Sequence, residues 1–321
     1  GCERMKTIYT GQMDTRLLKN AIGETIADLL ENDARAVYLD ADLMGCIGTA
    51  KLPQKTPRAI NCGIAEANML GVACGLSAVG FRPIVHTFGP FASRRCFDQA
   101  FLSGGYAGNS VTVIGTDPGI TAAFNGGTHM PFEDMALYRA LPGATVVDVT
   151  DVAMLEAFLR MFQTLPGVKY IRTPRKESYP VYPADYPFTP GKGAVLREGR
   201  DVLIVASGIM VHEAFEAAGR LAAEGIDAAV IDPITVKPLD EALIREYAEK
   251  TGAVVTAENH NKIGGLTSAV QAAVCGLKIG FGCVAIEDEF GEVGPQDYLR
   301  ERFALTAEHI AAEVRRAVKQ R

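Results

Sequence analysis

Several features that define common protein classes are missing from this sequence. No apolar run reaches the roughly 18 residues that a membrane span requires, and no secretory n-region and h-region stands at the start. A basic excess is missing too, because the formal net charge is -6. We therefore expect neither a membrane protein nor a secreted one, and no nucleic-acid binder, which would normally carry a basic stripe.

Cysteine motifs are missing as well. The chain has seven cysteines, none at C-x-x-C spacing, and several lie within apolar runs, where cysteine acts as a small hydrophobe. This disfavours a zinc site or a disulfide framework, and we expect free thiols in a reducing cytoplasm. Residues 1–4 precede Met5, which we expect to be the natural start, with residues 1–4 left over from expression.

What the sequence does contain is an alternation of short apolar runs with segments of helical period. Runs rich in Val and Ile predict strands at 35–43, 82–88, 110–117, 144–149 and 167–173, and the intervening segments predict helices at 16–31, 65–79, 91–104, 132–140 and 152–163. Strands that are apolar on both sides are typical of a parallel sheet covered by helices on both faces. The fold class is therefore α/β.

A proline-rich stretch at residues 176–193 interrupts this alternation. It contains four prolines and no apolar periodicity, so we interpret it as an extended interdomain linker. The alternation then resumes, with helices predicted at 213–224, 239–250, 265–277 and 306–318. The sequence thus predicts two α/β domains, residues 1–180 with a linker to about 193, and a smaller domain at 194–321.

Glu66 is the only charged residue in the stretch NCGIAEANMLGVACGL, residues 61–76. Its neighbours are small or apolar, and no Lys or Arg lies within several residues along the chain. A carboxylate in such surroundings can act as an acid or a base near neutral pH. The alternative is a glutamate in the first turn of a helix that only favours the helix dipole.

Aromatic and histidine side chains follow predicted strands, where ligands of open α/β sheets bind. Phe88 and Phe91 flank a Gly-Pro turn in VHTFGPFASRRCFDQ, and two such rings can stack on a planar heterocycle or simply complete a core. His129 lies in a glycine-rich loop, where a structural and a catalytic role are both open.

Several stretches resemble the C-terminal half of transketolase. They are GIAEANM, TFGPFASRRCFDQ, GTDPGI, NGGTHMPFEDMALYRALPG, VKPLD, ENHNKIGGLTSAV and FGEVGPQDYLRERFALTAEHI, in this order from about Arg16 to the end of the chain. The resemblance implies a first domain that binds the aminopyrimidine of thiamine diphosphate and an accessory C-terminal domain.

The resemblance also implies roles for individual residues. Glu66 matches the glutamate that hydrogen-bonds to the aminopyrimidine and activates the cofactor, on which Phe88 and Phe91 would pack. His129 matches a histidine that contacts substrate. The other matches are residues near the cofactor or the sugar phosphate: Asp42 and Arg94 near the cofactor, and Arg175, with Arg172 close by and Arg16 as a second arginine, for the phosphate.

Three residues depart from the family pattern. Asp117 stands where a His usually opens the glycine-rich loop, Asn125 where an aspartate reads a donor hydroxyl, and Arg94 where an aromatic residue often completes the pyrimidine pocket. Asp117 and Asn125 would face substrate, so they leave the identity of the sugar open.

The G-D-G motif, through which the family holds the diphosphate with Mg²⁺, occurs nowhere in the chain. We therefore expect no metal ligands here, and expect a partner chain to carry the diphosphate and Mg²⁺ site. The resemblance implies the small subunit of a split transketolase, self-associating as α2β2, that moves a two-carbon ketol unit from a ketose phosphate to an aldose phosphate. Alternatives are a 2-oxoacid dehydrogenase beta subunit, a 1-deoxyxylulose-5-phosphate synthase and a non-catalytic partner that kept the fold.

Overall fold

The computed structural model describes residues 7–320, so residues 1–4, the expected leftover of expression, lie outside the described part. Within residues 7–320 the strands form two sheets that follow one another along the chain. Helices pack against both, and the two-domain α/β fold expected from the sequence is confirmed.

The first sheet is parallel, with the strand order β2-β1-β3-β4-β6-β5. Its strands are Ala36–Asp40 (β1), Ala59–Asn61 (β2), Arg82–Phe88 (β3), Val111–Thr116 (β4), Thr145–Asp148 (β5) and Val168–Thr173 (β6). Every residue of β1, β4, β5 and β6 is buried, as expected for strands covered on both faces. The short edge strand β2 was not predicted.

The helices of the first domain connect these strands. They are Leu18–Asn32 (α1), Leu52–Lys55 (α2), Glu66–Ala78 (α3), Gly89–Ser93 (α4), Phe97–Gln99 (α5), Asp134–Ala140 (α6) and Val152–Met161 (α7).

The helix predicted at 91–104 is wrong as a single element. The chain there forms α4, α5 and a π-helical segment, Ala100–Tyr106. Gly104 and Gly105 approach their neighbours so closely that a Cβ would lie 2.7 Å from Val168 and 2.6 Å from Leu141. Glycine has a low helix propensity, so two adjacent glycines stabilise a regular helix only weakly. Tertiary packing therefore determines the backbone conformation here.

The second sheet has the order β11-β10-β8-β9-β7. Its strands are Ala194–Arg197 (β7), Val202–Ala206 (β8), Ala228–Asp232 (β9), Ala253–Asn261 (β10) and Gly280–Ile286 (β11), and its helices are Met210–Ala223 (α8), Glu241–Thr251 (α9), Leu266–Ala273 (α10), Gln296–Arg302 (α11) and Ala307–Val318 (α12). Only β7 is antiparallel, and this short edge strand also escaped prediction.

The proline-rich stretch at 176–193 contains neither helix nor strand, yet it packs firmly on the domains. Val181, Tyr182 and Phe188 are buried. The backbone amides of Val181 and Tyr182 each donate to Oδ2 of Asp151 at 2.8 Å, and the other oxygen of Asp151 caps α7. The linker is therefore fixed against the two domains by its buried residues and does not act as a free tether.

Candidate functional site

The carboxyl ends of β1, β3, β4 and β6, which are neighbours in the sheet, bring four chain segments together. Asp42 follows β1, Phe88 ends β3, Asp117 follows β4 and Arg175 follows β6. We call this the carboxyl edge of the first sheet, and it is where open α/β sheets bind ligands.

Glu66 lies in the first turn of α3 at this edge, and its side chain is only 2% exposed. Its Oε1 accepts a hydrogen bond from Nη1 of Arg95 at 2.8 Å, and Oγ1 of Thr87 lies 3.5 Å away. The carboxylate is therefore not alone in space, although it is alone in its stretch of sequence. Sequence reasoning missed Arg95 because the pairing joins segments that are distant along the chain.

An aromatic group adjoins this ion pair. The guanidinium of Arg95 lies 3.8 Å from the centre of the Phe91 ring. The ring of His129 meets Phe91 and Phe88 edge-on, with centroids 5.2 and 6.1 Å apart. Phe88, Phe91 and His129 are all partly exposed. The structure therefore brings the predicted aromatic pair and the predicted histidine together on one accessible surface, which we call the aromatic wall.

This arrangement fits a flat, nitrogen-bearing ring. Arg95 lies between two open concavities, one lined by Phe91 and His129 and the other by Glu66 and its neighbours. Its guanidinium is itself a planar N–H donor that packs on Phe91 and donates to Glu66. An aminopyrimidine offers the same two features, so the residues present match that group.

Asp42 is exposed and adopts a left-handed backbone conformation with φ 66. Nδ2 of Asn61 donates to its Oδ1 at 2.9 Å. Its carboxylate therefore stands at the carboxyl edge, beside the segment that leads to Glu66.

A buried polar network that sequence reasoning did not single out lies in the strands behind this edge. Oδ2 of Asp40 accepts from the Tyr38 hydroxyl at 2.5 Å and lies 2.7 Å from Nδ1 of His86. The other ring nitrogen of His86 lies 3.1 Å from the hydroxyl of Thr116. The network ties β1, β3 and β4 together, and a histidine inside the apolar run of β3 was its only sequence signal.

Asp117 and Arg175, both predicted to bind substrate, bind each other. Nε and Nη2 of Arg175 donate to the same oxygen of Asp117 at 2.8 and 2.5 Å, and the guanidinium lies 5.0 Å from the Phe88 ring. Asp117 is 5% exposed and has a left-handed backbone with φ 55. The two residues form one unit that adjoins the aromatic wall.

The structure corrects the prediction that Arg172 helps to bind the sugar phosphate. Arg172 is fully buried, so it has no surface to offer a sugar phosphate. Its Nε donates to Asp134 at 2.8 Å, its Nη1 to Asp148 at 3.2 Å, and its Nη2 to the backbone oxygen of Asn259 in the second domain at 2.5 Å. The sequence had suggested that the charge of Arg172 lies at the exposed edge of the sheet. In the structure this charge is buried, and the carboxylates of Asp134 and Asp148 compensate it.

The remaining predicted site residues, Arg16, Arg94 and Asn125, lie at the margins of the site. Arg16 pairs with Glu24 and with Glu156, the latter at 2.7 Å, so it reaches a phosphate only by leaving both partners. Arg94 is exposed and pairs with Glu133 at 3.2 Å. Asn125 is exposed just after a left-handed turn at Ala123.

Metal-ligating clusters and membrane-spanning helices are both absent from residues 7–320. No group of three or more His, Cys, Asp or Glu side chains there could hold a metal ion. No helix in the same range is long and apolar enough to cross a membrane.

Comparisons with known families and proteins match the chain over both of its domains. The family model described as the transketolase pyrimidine binding domain matches residues 14–180, and the transketolase C-terminal domain model matches residues 191–310. The subunit named 6-deoxy-6-sulfo-D-fructose transketolase subunit SqwH, from Clostridium sp. (strain MSTE9), is 48% identical over 92% of this chain and 94% of its own. One of the subunits of apulose-4-phosphate transketolase from Phocaeicola vulgatus is 28% identical over 94% of this chain and 97% of its own.

A solved structure titled "Split gene transketolase, inactive beta4 tetramer" has a TM-score of 0.86 and 39% identity to this chain, covering 95% of this chain and 98% of that one. The chain therefore matches separate subunits over nearly their whole length.

Proposed function

The chain belongs to the transketolase family, and from that premise we propose that it is the small subunit of a two-chain, thiamine-diphosphate-dependent transketolase. Its reaction would move a two-carbon ketol unit from a ketose phosphate to an aldose phosphate. The observation that carries this proposal is the grouping of Glu66, Phe91 and His129 at the carboxyl edge of the first sheet. The proposed limits of the two domains are residues 1–180 and 194–321.

Glu66 would hold a proton-bearing ring nitrogen of the cofactor, because its carboxylate is buried and faces an open concavity. Phe88 and Phe91 would orient the ring, and Asp42 and Arg94 would border it. When bound, thiamine diphosphate supplies the electron sink that allows a carbon–carbon bond beside a carbonyl to break. His129, at the edge of both phenylalanines, is placed to contact a substrate hydroxyl.

Arg175, paired with Asp117, is proposed to bind the anionic end of the sugar, and Asn125 is proposed to contact the donor sugar. Arg175 lies against Phe88 and opens into a cleft between the two domains, lined also by Lys176 and by Arg300 of α11. A sulfonate in place of the phosphate is the second candidate, because the Clostridium relative is named for 6-deoxy-6-sulfo-D-fructose.

A partner chain would supply the diphosphate and Mg²⁺ site. The first domain has large apolar side chains on its surface around α3 and the π-helical segment: Ile64, Val72, Val79, Leu102 and Tyr106. A helix that is apolar all round is normally buried, so we propose that the partner and a second copy of this chain cover this face in an α2β2 assembly. The six described cysteines are unpaired, which suits the cytoplasm.

Co-purification with a G-D-G-containing chain, followed by an assay of ketol transfer, tests the proposal. We expect activity from the complex, and little thiamine diphosphate binding by this chain alone in a calorimeter. Tight Mg²⁺-dependent binding by the isolated chain would contradict the division of the site. A stable complex that transfers no ketol unit from any of several donors would favour a non-catalytic partner.

A further inference from the structure

The ion pair of Asp117 and Arg175 has a consequence for the charge of the substrate. Both donors that Arg175 uses converge on Oδ2 of Asp117, so its fork is already engaged by an anion. Asp117 cannot move away easily, because its backbone amide donates to the carbonyl of Thr173 at 3.0 Å and its side chain is nearly buried. Any anion that approaches Arg175 therefore meets a fixed carboxylate beside it.

The surrounding cleft has no excess of positive charge. Counted with the pair, its lining carries three cations and three anions: Arg175, Lys176 and Arg300 against Asp117, Glu177 and Asp297. A singly charged group can be accommodated by turning one cation toward it. Because the charges of this lining sum to zero, a singly charged group brings the cleft to a net charge of about -1, whereas a doubly charged group brings it to about -2 in a partly desolvated place, which costs more.

We propose that Asp117 makes this cleft selective for a sugar tail that carries one negative charge, a sulfonate or a singly protonated phosphate ester, over a doubly charged phosphate. This inference rests on the proposed function only in taking the cleft beside Arg175 as the place for the far end of the sugar. Asp117 is then a specificity-determining residue, and it acts by excluding a second charge.

The test uses the full chain alone, because the pair and the cleft belong entirely to it. The probes are a four-carbon alditol phosphate and the alditol sulfonate of the same length, which cannot react, and their affinities are measured by calorimetry. Binding selectivity is thereby separated from ketol transfer, so a failure of the proposed reaction does not decide this result.

At about pH 8 we expect the sulfonate to bind about tenfold or more tightly than the phosphate, since a like charge nearby in a half-buried site exceeds that factor. A phosphate ester gains its second charge near pH 6, so the gap should close at about pH 5. The groups that face the pair also titrate or carry charge: Cys46, His129, Lys176, Glu177, Asp297 and Arg300. The sulfonate keeps its single charge over this pH range, so any change in its affinity with pH measures the effect of these groups.

Asp117→Asn should abolish the preference at about pH 8 and strengthen binding of the phosphate about tenfold more than that of the sulfonate, because the carboxylate repels two charges of the phosphate and one of the sulfonate. Asparagine tolerates the left-handed backbone at this position. Asp33→Asn is the matched control, since Asp33 pairs with Arg82 at 2.7 Å near the opposite end of β3. Equal or tighter binding of the phosphate at about pH 8, an unchanged ratio in Asp117→Asn, or no binding of either probe would overturn the inference.

Discussion

Arg95 donates from Nη1 to Oε1 of Glu66 across 2.8 Å, although the two residues are 29 positions apart in the chain. Glu66 is 2% exposed, whereas the side chain of Arg95 is 43% exposed. Because Arg95 lies at the surface, it can leave by turning its side chain, without disturbing the helix that carries Glu66. The buried carboxylate can therefore change its donor when another planar cation or N–H group arrives.

Glu66→Gln should lower ketol transfer by the complex about a hundredfold or more, because a positioned proton-transfer group is lost. The amide can still accept from Arg95, so the unfolding midpoint should change little. Glu198→Gln, at a glutamate that pairs with Lys250 in the second domain, is the control and should keep full activity. Activity of Glu66→Gln within about threefold of the unmutated complex would contradict the assignment, given the usual size of such effects.

Arg175→Ala should raise the KM for acceptors with an anionic tail by roughly tenfold to a hundredfold, the range of a lost charge-assisted hydrogen bond. The contact lies away from the reacting carbon, so kcat should fall less. Steady-state kinetics with charged and uncharged aldoses on one variant checks this.

Uncharged aldoses should be nearly unaffected, as should the Arg82→Ala control. Equal loss for both aldoses would make Arg175 a structural residue. Several donors should be tried, because Asn125 is proposed to influence donor preference.

Arg172→Met should destabilise the fold by about 3–5 kcal/mol, because it leaves Asp134 and Asp148 buried without their cation. Urea unfolding monitored by circular dichroism measures the loss. Adding Asp134→Asn and Asp148→Asn should recover part of it, since the three residues form one network. A variant of normal stability with a raised KM would instead restore the substrate role first assigned to Arg172.

Glu258 predicts a pH dependence of stability. Burial raises its pKa from 4.5 to about 7, so between these values the folded chain binds a proton that the unfolded chain has released. Stability from this group is thus present below about pH 4.5 and is lost as the pH rises to about 7, at about 1.4 kcal/mol per pKa unit.

Glu258→Gln removes this loss of stability with rising pH, because the glutamine side chain does not ionise. The unfolding free energy of the variant relative to the unmutated chain should therefore rise with pH across this window, in denaturant titrations at several pH values. His260 lies beside Glu258, and burial lowers its pKa to about 4, so its own contribution to stability changes with pH in the opposite direction. A difference that is flat with pH would contradict the assignment.

The sequence predicted the long elements of the fold well, because α1, α3 and β3 have clear apolar periods or runs. It also indicated Glu66, the aromatic pair and His129, since each follows a strand or begins a helix at one edge. The pairing of Arg95 with Glu66 and of Arg175 with Asp117 could not be predicted, because each joins segments set side by side only by the folded sheet. Strands β2 and β7 are too short to show a period.

The contact of Arg172 with the backbone of Asn259 bears on how the chain unfolds. A strand of the first domain places this guanidinium, and a backbone carbonyl in a strand of the second domain accepts a hydrogen bond from it. Neither half alone completes the set of partners for the buried charge, and the linker between them is itself fixed by Asp151. The two domains should therefore melt in a single cooperative transition, and either one expressed separately should be poorly folded.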